Sequence, residues 1–304
     1  MTLLQLRYIS EVAKQGSFCK AAQNLYVSQP GISKMVAALE KELGITIFVR
    51  SASGITLTAE GKRLLDAGNR LLRDADHIAD QFSRTALDRP ESFCVSSLHY
   101  SFVVDAFTEL VRRSKSSSQH YKIHICQSPD VLQHVANLES EIGVLSVGDH
   151  NQDYLTRMLE RSGLEFHQLI RSNICAFLHE SHPLAEKAIL TFSDLAPYPC
   201  IMYELDMDSP SILHEEFSIS AFYPKRVVEI TGLYQSLEVM VRCQGYDLGN
   251  GIISLSNKRQ GVVKRRVEGL DAPVSIGWVS RRGQALSAPA LEFVKALEMY
   301  CRDI

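Results

Sequence analysis

Apolar residues recur at helical spacing through the first third of the chain. Leu3, Leu6, Ile9, Val12 and Ala13 mark one helix that ends near Gly16. Ser17 is placed to cap a second, which carries Ala21, Ala22 and Leu25. After a Tyr26-Val27 turn comes a third stripe, Ile32, Met35, Val36, Leu39 and Leu43, stopped by Gly44. This third helix opens on Gln29-Pro30-Gly31, of which Pro30-Gly31 usually signals a turn. With Ser28 as N-cap, Gln29 and Pro30 fall in the first turn, where the missing proline N–H has no helical partner anyway. Gly31 costs about 1 kcal/mol of helix propensity relative to alanine. The expectation is that its bare Cα lets the helix end approach a partner closely. ITIFVR, SASG and ITL then read as strand, turn and strand.

Thr58 is a fitting N-cap for a helix that keeps its pattern from Ala59 to about Leu87. Leu64, Leu71 and Ile78 are seven apart, as are Leu65, Leu72, Ala79 and Ala86. A seam this long predicts pairing with a second chain, a homodimer or homotetramer. Pro90 breaks the pattern and marks a boundary. Beyond it short apolar strands alternate with helices: FCVSS (93–97), KIHICQ (122–127) and EIGVLSV (141–147), then NICAFL (173–178), PCIMY (199–203), KRVVEIT (225–231), a helix near 233–243, GIISL (251–255), VSIGWVS (274–280) and a closing helix over 288–301. That order predicts mainly parallel sheets with helices on their faces.

Composition adds little until charge is divided by region. With 45% hydrophobic and 22% charged residues the chain is an ordinary globular one, and its net charge of −3 advertises no global affinity for nucleic acid. Residues 1–90, however, hold 12 Lys and Arg against 9 Asp and Glu, whereas residues 91–304 hold 20 against 26. A mildly basic part and an acidic part point to different partners. The seven cysteines are scattered without a CxxC, which fits reduced thiols and a cytoplasmic location, with no metal or cofactor. No stretch approaches the length of a membrane span, and no nucleophile-elbow G-x-S-x-G or HExxH argues for an enzyme.

Two helices joined by a tight turn, the second opening on Ser-Gln, form a helix-turn-helix pattern. If Ile32, Val36 and Leu39 face inward, then Gln29, Pro30, Ser33, Lys34 and Lys41 face outward. Glutamine can pair with adenine, and serine or lysine can reach base edges or phosphates. Arg50 at the hairpin tip is placed to meet the DNA backbone or minor groove as a wing. The stretches "SFCKAAQNLYVSQPGISKMVAALEKELGITIFVR" and "ITLTAEGKRLL" resemble the LysR-type transcriptional regulators. His182-Pro183-Leu184 and Phe192-Ser193-Asp194-Leu195 also sit where that family often has such residues.

The resemblance implies a multidomain α/β protein. A winged helix-turn-helix would occupy residues 1–58 and a dimerising linker helix 59–88. A periplasmic-binding-protein-like effector domain would fill 89–304, with lobe one about 91–160 and 268–304 and lobe two about 161–267. The strands that cross between lobes are expected near 158–168 and 262–272. The implied partners are double-stranded promoter DNA, a small-molecule effector in the inter-lobe cleft, and RNA polymerase. Strand ends and helix N-termini line such clefts, which nominates Ser97, His99, Tyr100, Ser101 and Ser128 in lobe one, and Tyr203 and Thr231 in lobe two. His99 and Tyr100 depart from the small residues usual in the family and suggest an aromatic or partly filled wall. "RCQGYDLGNGIISLS" (242–256) departs too, with Ser256 where the family usually has proline. The alternative reading is a thiol-based redox sensor of the same architecture, through Cys175, Cys200 or Cys243.

Overall fold

The computed structural model describes residues 1–51, 54–82, 91–149, 151–203, 224–270 and 273–302. The chain divides into two compact units, Met1–Arg89 and Pro90–Ile304.

The first unit holds helices α1 (Leu3–Gln15), α2 (Phe18–Asn24) and α3 (Gln29–Leu43), a hairpin of β1 (Phe48–Ser51) and β2 (Gly54–Leu57), and the long α4 (Ala59–Phe82). Each expected cap is in place. The Ser17 hydroxyl accepts from Lys20 N–H, Ser28 from Gly31 N–H at 3.3 Å, and Thr58 from Gly61 N–H at 2.8 Å. Gly16 and Gly44 end α1 and α3 in the left-handed conformation. The buried core is Ile9, Val12, Ala21, Ala22, Ile32, Val36, Leu39 and Ile47. Glu40 ties the hairpin to α3, its carboxylate accepting from Ile47 N–H at 2.7 Å and Phe48 N–H at 3.3 Å. Gly61 lies so close to this junction that a Cβ there would stand 2.2 Å from the Ile47 carbonyl oxygen. The Thr58-Ala59-Glu60-Gly61 run is therefore a packing device: a cap, then a bare Cα where the helix crosses the hairpin.

The seam expected on α4 is divided. Leu64 and Leu65 pack against the core of their own unit, and Leu72 is buried. The reason is α1, which lies along α4, with Leu6 against Gly68 and an Arg7–Asp76 ion pair. Only Leu71 (47% exposed) and Ile78 (57%) among the five face outward. Most of the heptad pattern thus packs within the unit itself. Residues 83–87, the end of the expected helix, lie outside the described residues.

The second unit runs β3 (Glu91–Ser97), α5 (Ser101–Arg113), β4 (Gln119–Ile125), α6 (Ser128–Ala136), β5 (Ile142–Gly148), α7 (Gln152–Ser162) and β6 (Leu164–Asn173), then β7 (Cys175–His179), β8 (Ile189–Leu190), α8 (Phe192–Leu195), β9 (Cys200–Tyr203) and β10 (Val227–Ile230), then α9 (Leu233–Cys243), β11 (Tyr246–Gly249), α10 (Leu255–Arg259), β12 (Val262–Val267), β13 (Pro273–Arg281) and α11 (Ala288–Arg302). Lobe one is the sheet β4-β3-β5-β13-β6 and lobe two the sheet β10-β9-β11-β7-β12-β8. Each joins a parallel trio to antiparallel neighbours.

Three expectations need correction. The first crossing is at Ile174, not near 158–168, because β6 pairs along its whole length with β13 in lobe one. Lobe two therefore begins near 174, not 161. The return lies after Val267, within the expected range. GIISL is not a strand: the strand is Tyr246–Gly249, Asn250 turns the chain by accepting from Ile252 N–H at 3.1 Å, and Ser254 caps α10. Both motifs expected from the resemblance make structural contacts, the first partly long-range and the second local. His182 accepts from Leu184 N–H through Nδ1 and donates through Nε2 to the Gln244 carbonyl, while Thr191 and Asp194 form the capping box of α8.

Candidate functional sites

In the first unit the site is the amino-terminal end of α3. Its inward face, Ile32, Val36 and Leu39, is at most 3% exposed, which fixes the rotation of the helix. The opposite face then presents Pro30, Lys34 and Lys41 to solvent. Gln29 and Ser33 are bonded to each other in a half-buried contact, amide to hydroxyl at 2.8 Å. The Arg50 side chain lies outside the described residues. Tyr26, which the sequence pattern does not single out, is 96% exposed beside this helix end and sits at φ +54°. An aromatic in a turn that the core does not use was its signal.

Gly31 has a role that spacing did not reveal. A Cβ there would stand 3.0 Å from the Ser28 hydroxyl, the atom that caps the helix. The bare Cα leaves room for the cap, so the close approach it permits is made first by its own chain.

In the second unit the lobes enclose a cavity of about 390 Å³ at the carboxyl ends of β3, β9 and β11. His99, Tyr100, Ser101 and Tyr203, named from sequence, line it together. Ser97 and Ser128 do not: both are buried beneath the surface, Ser97 at the end of β3 and Ser128 in the first turn of α6. Thr231 is exposed and also outside the lining. The residues missed are Asp105, Asp247, Asn250 and Asn257, with Phe177 and Tyr234. Asp105 follows Ser101 by four residues, one helical turn on the same face, and that spacing was available. The others come from further segments, joined only by folding.

The cavity wall also holds the lobes together. His99 of lobe one stacks on Tyr203 of lobe two, ring centroids 3.9 Å apart and 16° from parallel. Burial lowers the His99 pKa from 6.5 to about 4, so the ring is neutral at pH 7. Beside it Asp105 accepts from Ser256 N–H at 3.2 Å and from its hydroxyl at 2.8 Å, and Asn257 donates to Ser101 at 3.0 Å. A proline at position 256 could supply neither donor to Asp105.

Of the three thiols named for redox sensing, burial acts against Cys175. Burial pushes Cys175 up to about 11, as it does Cys126 to about 12 and Cys301 to about 11, which suppresses the thiolate needed to attack a peroxide oxygen. Cys200 is buried and Cys243 is exposed. Among the described residues no three His, Cys, Asp or Glu side chains converge to hold a metal ion, and no helix is long and apolar enough to cross a membrane.

A helix-turn-helix unit with an outward cationic helix face, and a two-lobed α/β unit closed around a cavity, define a regulator with one module for DNA and one for a ligand. The family of bacterial regulatory helix-turn-helix proteins of the lysR type matches residues 3–62, and the LysR substrate-binding domain matches residues 94–302. The chain belongs to the LysR family of DNA-binding transcriptional regulators with an effector-binding domain. It is 27% identical to the HTH-type transcriptional regulator SsuR of Burkholderia cenocepacia over 75% of this chain and 72% of that one. It is 28% identical to the regulator CysB of Haemophilus influenzae over 76% and 70%. Among solved structures it shares its fold with a full-length OxyR variant from Pseudomonas aeruginosa (TM-score 0.58, 18% identity, 99% of this chain and 95% of that one). It shares it equally with full-length CbnR in complex with its target DNA (TM-score 0.57, 18% identity, 99% and 100%).

Proposed function

We propose that the chain reads double-stranded promoter DNA with the amino-terminal end of α3, and that a small molecule in the inter-lobe cleft changes how the assembled regulator acts on transcription. The observation that carries this is the orientation of α3. Its apolar face is locked in the core, so Pro30 and Lys34 stand outward at a helix end free to enter a major groove, and Lys41 stands outward in the last turn. Gln29, held by Ser33, keeps its carbonyl oxygen and second amide hydrogen for the edge of an adenine. Lys34 and Lys41 serve phosphates, and Arg50 is assigned to the wing. Leu71 and Ile78 are the outward apolar pair on α4 through which a second copy would pair, giving a homodimer or homotetramer. The working location is the cytoplasm, with RNA polymerase as the downstream partner. The domain division follows: residues 1–58 read DNA, 59–88 link and pair, and the rest sense the ligand.

The test is fluorescence anisotropy on duplexes selected by the intact protein from a random pool. Binding is expected to weaken steeply with salt, because each phosphate contact releases counterions. Gln29→Ala is expected to relax sequence preference at one base pair. If a variant lacking residues 1–58 bound the selected duplex as tightly as the full chain, the proposal would be overturned.

A further inference from the structure

We infer that the inter-lobe cleft takes a compact organic cation carried on a flat or apolar frame, an aromatic amine or quaternary ammonium, and not a carboxylate or sulfate. The inference rests on the effector-cleft reading above and adds the chemical class. Asp105 and Asp247 are the only formally charged side chains among the described lining residues. An anion entering this cavity would shed its water and meet no opposing charge on a lining side chain, while Lys264, on the other side of Phe177 in the ladder, is turned to the Gly251 carbonyl. The end of α5 offers it only a helix dipole, and Asp105 stands one turn along that same helix. His99 brings no positive charge either, since burial keeps its ring neutral.

The wall instead suits a cation. Tyr203 and His99 present a stacked aromatic pair, and Tyr234, 82% exposed, stands at the mouth with its ring open to solvent. Phe177 and Asp247 are direct partners across the β7–β11 ladder and both line the cavity, which sets a carboxylate beside an aromatic ring. An ammonium group is held by ring faces and a carboxylate together, and the rings bind the frame that carries it. The volume of about 390 Å³ fits a small one- or two-ring ligand.

The experiment uses the intact protein and four probes: 2-phenylethylamine, phenyltrimethylammonium, 3-phenylpropionate and inorganic sulfate. Thermal shift and calorimetry are read at constant ionic strength. The expected result is that the two cations raise the melting temperature and the two anions do not. Asp247→Asn is expected to weaken cation binding about tenfold or more. Tyr234→Ala, at a position too exposed to disturb folding, is expected to weaken it about threefold, in line with one exposed cation–π contact. Stabilisation by an anion alone, weakened by Tyr234→Ala, would overturn the charge class while leaving the effector cleft intact. Failure of every probe to bind in a way that responds to either variant would overturn the inference and count against the cleft as the effector site. Cation binding that ignores both variants also overturns it.

Discussion

The DNA-facing end of α3 and the inter-lobe cleft are built in opposite ways. The first is made by one helix and its cap. Gln29, Pro30, Ser33, Lys34 and Lys41 lie within thirteen residues, aimed by a single apolar stripe on the reverse face. The cleft gathers its wall from segments spread between Leu98 and Val262. Their charges are opposed as well: lysines stand outward on α3, while the cavity has two aspartates and, among its described lining, no Lys or Arg. A site set on one helix depends on that helix, its cap and the core of its own unit. A site set by the meeting of two lobes depends on whatever holds the lobes together.

The largest effect expected is one that breaks the local site from below. Gly61→Val would drive side-chain carbon into the Ile47 carbonyl, where even a Cβ stands at 2.2 Å. Because the obstacle is backbone, α4 must shift from the hairpin, at a cost of about 3 kcal/mol or more. Thermal denaturation of the intact protein should show an early transition and DNA binding should be lost. The cleft, within a separate compact unit, should keep its ligand response. If ligand response were lost too, the independence of the two sites would be wrong.

The cleft has its own weak point at Ser256. Ser256→Ala removes the hydroxyl donor to Asp105, and Ser256→Pro removes the N–H as well, at the second position of α10 where proline is tolerated. Losses of about 1 and about 2 kcal/mol are expected in denaturant titrations of the effector unit's transition. Equal stability of the two variants would mean that the backbone donor contributes nothing. Lys34→Ala should act only on the other site, weakening DNA binding about tenfold and reducing the salt slope by about one, with unchanged melting.

The same contrast explains what could be read from the sequence. Caps and stops at Ser17, Ser28, Gly44 and Thr58 are decided by residues within four positions of each other, so they were legible and are found in place. The α4 stripe was legible as apolar but not as to partner, since nothing in Leu64 or Leu72 announces that α1 will cover them. In the second unit β6 is expected only as a crossing near 158–168, because LEFHQLIRSN lies at a sheet edge with only β13 beside it and its polar and apolar positions do not alternate cleanly. His99 and Tyr203 were each visible at a strand end. Their stacking is a contact between lobes 104 positions apart in the chain, and no local rule carries it.

That stack gives the cleft a pH dependence. Folded His99 has its pKa lowered to about 4 by burial, whereas the unfolded residue titrates near 6.5. As pH falls through 6.5 the unfolded chain takes up a proton that the folded ring refuses, so stability falls, and the fall ends near pH 4. Between pH 7 and 6 the loss is about 0.7 kcal/mol. His99→Phe keeps a ring on Tyr203 and should remove this part of the dependence. An unchanged difference between pH 7 and 6 in the variant would show that His99 is not its source.

The smallest effect belongs to Gly31, and it tests the local site most finely. Alanine adds about 1 kcal/mol of helix propensity. Its Cβ would also press to 3.0 Å on the Ser28 hydroxyl, and a lost N-cap costs about the same. The two terms nearly cancel, so Gly31→Ala is expected to change stability by less than about 0.5 kcal/mol. A Ser28→Ala background separates them. There the cap is already gone, the crowding with it, and the alanine should recover most of its propensity gain. If Gly31→Ala stabilised both backgrounds equally, crowding of the cap would not be the reason for glycine. DNA affinity then decides what remains: a loss in the Ser28→Ala background, where the cap no longer matters, would assign the bare Cα to the approach of the helix to DNA.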